Sequence, residues 1–241
     1  MTLDTTFSAT IIAIDIVGRK GAGTMEQVMS RISIPHYTIK EELINAISHG
    51  LGALLSLPAL PLMLVRAHGP LQTVCAVVFG VSMVFLYTVS CIYHALPKDT
   101  ISKRVFRVID HCNVYLLVFG TYVPAALLGV GGPLGWTLFG VVALFTVIGI
   151  AFAAIDVERF SKVQVVCHLA CGWSFIFGIP QLIANVGYGC AALVVIGGVA
   201  YSIGAALYGL GKKRRYMHSV FHLFCLVGTF FHFWAIYAYL L

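Results

Sequence analysis

Charge is scarce in this sequence. Asp, Glu, Lys and Arg make up only 10% of its 241 residues against 60% hydrophobic ones, and mean hydropathy is +0.95. An ordinary soluble domain is about 25% charged, so the chain has too few polar side chains to coat a water-soluble globule. Polar alternation is also missing: residues 51–65 and 74–87 run apolar without it. That excludes a transmembrane barrel, whose strands alternate over about 10 residues. Helices remain as the spanning element, because a helix needs about 20 apolar residues to cross the hydrocarbon core. Paired cysteines are absent too. The seven present (Cys75, Cys91, Cys112, Cys167, Cys171, Cys190 and Cys225) are odd in number and contain no C-x-x-C pair. They encode no disulfide framework and read as reduced core residues.

Dividing the chain at polar, glycine and proline clusters leaves seven apolar segments: 43–65, 71–95, 105–128, 134–155, 163–186, 188–210 and 217–240. Each is long enough to span once. The reading is therefore an all-α integral membrane protein, a seven-transmembrane helix bundle over residues 41–241, preceded by a tail over residues 1–40. The links are short and no soluble domain, low-complexity tract or repeat stands out, so the working part belongs within the helices or at their ends.

Basic residues then set the orientation. Arg19, Lys20, Arg31 and Lys40 precede the first span; Lys98, Lys103, Arg104 and Arg107 follow the second; Arg159 and Lys162 follow the fourth; Lys212, Lys213, Arg214 and Arg215 follow the sixth. Of the 15 Lys and Arg residues, 14 fall on that side and only Arg66 on the other. By the positive-inside rule the N-terminus is cytoplasmic and the C-terminus outside. The same asymmetry explains the net charge of +6 without a nucleic-acid partner. It also runs opposite to a G-protein-coupled receptor, and no lysine lies between Met217 and Leu241 to hold retinal. The apolar stretch Phe7–Val17 is short, contains Asp15 and lacks a basic n-region. It reads as part of the cytoplasmic tail rather than a signal peptide, and Met25 and Met29 offer later starts.

Ionisable groups inside membrane helices are costly, so each is a functional hypothesis. Tyr87, Ser90 and His94 share one face of the second span, and Asp110, Asn113, Leu117 and Thr121 form a stripe on the third. On the seventh, His218 and His222 are one turn apart, and the stripe continues through Cys225, Thr229 and His232. Two histidines at i and i+4 present both imidazoles to one point, the spacing by which one helix supplies two zinc ligands. The charge count, which used no histidine, places His94, Asp110, His218 and His222 at the same cytoplasmic depth. Three imidazoles and a carboxylate can then converge, and three ligands with an open fourth position is the arrangement of a catalytic zinc. The rival for any single histidine is a hydrogen-bonded helix-end residue at headgroup level. His232 lies 10 residues beyond His222, about 15 Å along the helix, and reads as a buried hydrogen-bonding residue instead. His49 shares a face with Glu42, Asn45 and Gly52; it and His168 read as hydrogen-bonding neighbours of the site. His36 and His68 read as solvated. Cys91, within a turn of His94, reads as a small buried hydrophobe before a thiolate ligand.

Four motifs in order carry a resemblance. Glu41-Glu42-x-x-Asn45-x-x-Ser48-His49-Gly50 is the first, and Ser90-x-x-Tyr93-His94-x-Leu96-Pro97 the second. The third is Asp110-His111-x-x-x-Tyr115-Leu116-Leu117-x-x-Gly120-Thr121-Tyr122-x-Pro124, and the last is His218-x-x-x-His222 with His232-Phe233 beyond it. From about residue 38 to 241 the sequence resembles the bacterial haemolysin III proteins, within the progestin and adipoQ receptor group that includes the adiponectin receptors. The resemblance implies seven helices, a cytoplasmic N-terminus and a zinc ion at the cytoplasmic side. It implies His94, His218 and His222 as ligands, with Asp110 contacting the zinc-bound water and Ser90 nearby. The wider superfamily looks like membrane hydrolases of lipid amides, including alkaline ceramidases, and the bacterial members are named for cytolysis and tied to lipid homeostasis.

The function expected on these grounds is zinc-dependent hydrolysis of a membrane lipid amide or ester in the cell membrane. Asp110 orients the water and takes its proton, and Ser90 bonds the developing oxyanion. An apolar cavity between the helices holds the acyl chain. Two rivals stand beside it: a membrane sensor in which zinc is a structural staple between the second and seventh helices, and a haemolysin III-type cytolysin. Against a pore, no span carries a polar stripe along its whole length.

Overall fold

The computed structural model describes residues 32–211 and 214–241. The readings of Phe7–Val17, Met25 and Met29 lie outside them. Among the described residues there is no β-strand, and seven helices are long and apolar enough to cross a membrane. The first span is α1 (Ile39–Arg66), the second α2 (Pro70–Ala95), and the third α3 (Ile101–Pro124), which a wider π-helical turn extends through Ala125–Val130. The fourth is α4 (Gly132–Ile155). In the fifth, α5 (Ser161–Trp173) and α6 (Ile179–Val186) are joined by a 3₁₀ stretch, Ser174–Gly178. The sixth is α7 (Tyr188–Gly211), and the seventh is α8 (Met217–Ala235), continued by a π-helical turn over Ile236–Leu240.

Five helices begin earlier than the apolar runs, and in the first four the reason is local. In α1 and α3 the first turns are polar, with Lys40, Glu41, Glu42, Lys103 and Arg104, yet helical because their N-termini are capped. Thr38 accepts from the Glu41 amide while the Glu41 side chain accepts from the Thr38 amide at 2.8 Å, a reciprocal capping box. Thr100 caps α3 through the Lys103 amide at 3.2 Å. In α2 and α4 a proline opens the first turn, where its missing N–H costs nothing.

The packing inverts that of a soluble protein. Along α1 the buried face carries Glu41, Glu42, Asn45, Ser48, His49, Gly52 and Ser56, while Leu51, Leu54, Leu55, Leu57 and Leu62 are exposed. Lipid solvates those leucines, and the polar groups turn inward to find partners. The interior holds Phe79, Met83, Tyr87, Leu117, Tyr122 and Leu182, all nearly fully buried. Close approach is achieved by small residues. A Cβ at Gly52 would lie 2.7 Å from both the Tyr87 ring and Leu226, so glycine is what lets α1 meet α2 and α8 at one level. That contact brings three helix ends together where the motif residues sit.

Candidate metal centre

His94 ends α2, and His218 and His222 open α8, so the three imidazoles meet at one end of the bundle. One nitrogen from each lies within 4.8 Å of the others, forming a group that could hold a metal ion. The Nε2 atoms of His218 and His222 are 3.1 Å apart. Tetrahedral ligands at about 2.0–2.1 Å from a metal are separated by about 3.3 Å, so this spacing is already that of coordinating nitrogens. His94 and His222 are 2% and 1% exposed.

The neighbours orient these rings. His94 Nδ1 faces Glu42 Oε2 at 2.6 Å, with Asn45 Nδ2 at 3.4 Å. A neutral imidazole carries one N–H, and a carboxylate beside Nδ1 assigns it there. The lone pair is then on Nε2, which is buried with no partner of its own. An orphaned buried acceptor aimed at two other imidazole nitrogens is what a metal would satisfy. His222 Nδ1 lies 3.5 Å from Ser48 Oγ, which itself donates to the Asn45 carbonyl at 3.0 Å. Asn45 Oδ1 in turn accepts from Ser219 at 2.6 Å. Thus α1 contributes no ligand but aligns two of them.

Glu42 has a second partner. Lys103 Nζ is 2.8 Å from Oε1, its side chain is 1% exposed, and it also donates to the Leu96 carbonyl at 2.9 Å and sits over the Tyr93 ring. The pair replaces two buried charges by a compensated set, and the relay Lys103–Glu42–His94 ends on the orphaned nitrogen. The sequence reading placed Glu42 on an inward face without a role and counted Lys103 only as a surface cation. A signal was available: Lys103 lies seven residues before Asp110, on the same helical face, and a carboxylate on an inward stripe requires a cation.

Ser90, 1% exposed, and Asp110 face one another beside the cluster and line one cavity together with His49, His218 and His222. That cavity, about 400 Å³, follows the seventh span from His218 past Tyr201 and His232 to Leu240. Neither Ser90 nor Asp110 joins the group that could hold the ion. On the α3 stripe, Asp110, Leu117 and Thr121 line the cavity, whereas Asn113 is buried elsewhere with no partner for its amide. His232 donates through Nε2 to the Val194 carbonyl at 3.0 Å, as a buried hydrogen-bonding residue should. His36 and His68 are exposed. Cys91 stays out of the histidine group, its Sγ packed 3.2 Å from where a Gly50 Cβ would be.

His49 departs from expectation. Neither of its nitrogens has a hydrogen-bond partner; its ring instead stacks on His222 at 3.6 Å between centroids, edged by Tyr87. The one-residue offset between Ser48 and His49 explains this, since Ser48 already occupies the hydrogen-bonding side of His222. His168 bonds the carbonyl of Gln164, a turn earlier in its own helix, at 2.7 Å and stacks on Tyr115.

The match to the family described as Haemolysin-III related covers residues 37–233, from just before α1 to the end of the α8 histidine stripe. The chain is 40% identical over 207 residues to "Hemolysin-3" of Bacillus cereus, an alignment covering 84% of this chain and 93% of that protein. It is 36% identical over 196 residues to the "Hemolysin-3 homolog" of Bacillus subtilis strain 168, covering 80% and 91%. A more distant likeness, 22% over 239 residues, is to the "Adiponectin receptor protein" of Drosophila melanogaster, covering 83% of this chain and 51% of that protein. With its seven apolar helices and the inward histidine cluster inside the matched region, the chain is a multi-pass membrane protein that belongs to the haemolysin III family.

Proposed function

We propose that this protein is a zinc-dependent hydrolase of membrane lipid amides or esters, acting in the cell membrane in lipid homeostasis. The observation that carries the reading is the junction of two features. A three-imidazole cluster, with His94 and His222 buried and an orphaned His94 Nε2, abuts the Asp110 end of a long cavity in the bundle. His94, His218 and His222 are the proposed zinc ligands; three imidazoles suit zinc and leave a fourth position open. Bound there, zinc would polarise a carbonyl and lower the pKa of water from 15.7 towards about 7.

The residues supply the rest. Glu42 keeps the proton of His94 on Nδ1, so its other nitrogen stays a ligand. Asp110 accepts the proton of the attacking water at its carboxylate. The Ser90 hydroxyl, one turn from His94, donates to the oxygen that becomes negative. The apolar lining of the cavity, which includes Leu86, Val114, Leu117 and Val118, receives the acyl chain and excludes water. By the distribution of Lys and Arg, the histidine end faces the cytoplasm, the 1–40 tail is cytoplasmic and the C-terminus lies outside.

The test is purified protein with defined lipid amides and esters. Release of fatty acid that needs zinc and is lost on chelation is the expected result. Tight lipid binding without release would replace the enzyme by a sensor with a structural zinc. Dye leakage from liposomes without hydrolysis would favour the cytolysin.

A further inference from the structure

Two of the three clustered histidines are aligned by a polar group at Nδ1: Glu42 for His94, Ser48 for His222. His218 has none, for its Nδ1 is buried without a partner. What lies against its ring is Tyr37, stacked with centroids 4.9 Å apart and planes 16° from parallel. Tyr208 and Phe221 meet the same ring only at tilted angles, 5.7 and 5.6 Å away. Burial pushes the Tyr37 hydroxyl above the ordinary tyrosine range, in keeping with a ring held in the interior.

Tyr37 belongs to the short non-helical segment 32–38 that precedes α1, and this segment is tied down along its length. Arg104 donates to the Ile32 carbonyl at 3.0 Å, and Arg107 to the Ser33 carbonyl. The Ser33 hydroxyl donates to Glu158, which also pairs with Arg107 at 3.1 Å. Lys98 donates to the carbonyl of Tyr37 itself. The capping box then fixes Thr38, and its carboxylate has a further contact: Glu41 Oε1 accepts the backbone N–H of Tyr216 at 2.8 Å. Tyr216 is two residues before His218 and takes the left-handed φ of 63° that starts α8. One carboxylate therefore anchors both the segment that carries Tyr37 and the turn that delivers His218.

From this geometry we infer that segment 32–38 is a strap completing the metal centre, with Tyr37 a positioning residue that aligns His218 by stacking where the other two histidines use hydrogen bonds. The inference rests on the reading that the three histidines hold a metal. Losing an outer partner of a metal-bound histidine typically costs about 10- to 100-fold in metal affinity, and a flat ring serves here where an aliphatic chain of similar bulk does not. The anchors Lys98 and Glu158 lie on the segments between spans and Arg107 in the second turn of α3, so metal retention depends on residues that contribute no ligand.

The experiment loads the full chain in detergent with cobalt(II), whose visible bands report ligand geometry. It then follows extraction of the cobalt by excess EDTA. Tyr37→Phe keeps the ring and should reproduce the wild-type spectrum and release rate. Tyr37→Leu should shift the bands and release cobalt at least about tenfold faster, with unfolding temperature in excess cobalt near wild type. Glu158→Gln, which loosens the strap without touching the bundle interior, should also speed release. A Tyr37→Leu chain with wild-type bands and release rate overturns the inference. If Tyr37→Leu fails to fold, a wild-type release rate in Glu158→Gln overturns it instead. A wild-type chain that takes up no cobalt or zinc removes the metal reading underneath, which distinguishes that failure from failure of the strap alone.

Discussion

Glu42 serves two partners with one carboxylate, and they pull different properties of the protein. Through Oε1 it neutralises Lys103, and through Oε2 it orients His94. In Glu42→Gln the amide oxygen can still accept from His94, but the Lys103 ammonium is left buried and unpaired. Breaking a buried pair from one side costs about 3–5 kcal/mol, so a large fall in unfolding temperature is expected. Adding Lys103→Met should restore most of that stability, while metal affinity, measured by competition with a chelator, stays about 10- to 100-fold down. Equal stability of Glu42→Gln and wild type would show that the pair contributes nothing. Asp110 separates catalysis from stapling. Asp110→Asn keeps volume and hydrogen bonding, so metal content and fold should stay near normal, yet hydrolysis should fall by about 10²- to 10⁴-fold because an amide cannot take the proton. Full hydrolytic activity in that variant, with metal in place, would sink the mechanism.

At the level of elements, α1 is a scaffold whose polar face aligns groups on α2 and α8, and its fit depends on absent side chains as much as on present ones. Gly52→Ala puts a methyl group 2.7 Å from Tyr87 and Leu226. Overpacking of this kind typically costs about 1–3 kcal/mol, and Tyr87 resists displacement because its hydroxyl is bonded to Thr229 at 2.5 Å. Thermal unfolding in detergent should register the loss; an unchanged transition would mean the helices separate freely there. The histidines also join α2 to α8, so a bound metal favours the folded bundle. At a free metal concentration of 100 times Kd the gain is about 2.7 kcal/mol, and chelation should lower the unfolding temperature accordingly. In His222→Ala, which cannot complete the ligand set, added chelator should make little further difference.

For the whole molecule, the sorting of basic residues predicts an N-terminus in the cytoplasm and a C-terminus outside. Reporter fusions at Leu241 should be active only on the outer side; a cytoplasmic signal would end both the orientation and the depth assigned to the histidines. Lys103 qualifies the charge count in an instructive way. It was counted as one of the cations beside the membrane, but the structure buries it against Glu42. The asymmetry survives without it, because Arg66 remains the only basic residue assigned to the opposite side.

The seven spans were legible in the sequence because hydrocarbon thickness imposes a length of apolar residues that no distant contact can waive. Their polar first turns were not, since capping by Thr38 and Thr100 is a local exchange of hydrogen bonds that hydropathy does not register. His94, His218 and His222 could be picked out because charge, helical spacing and span count are additive along the chain and fix both face and depth. Tertiary structure alone decided their partners. Glu42 and Lys103 come from different helices, Ser48 rather than His49 took the hydrogen-bonding side of His222, and Tyr37 came to rest on His218. Each of these depends on how far one helix is shifted and rotated against another, and that is set by close contacts such as Gly52 against Tyr87, which no period within a single helix encodes.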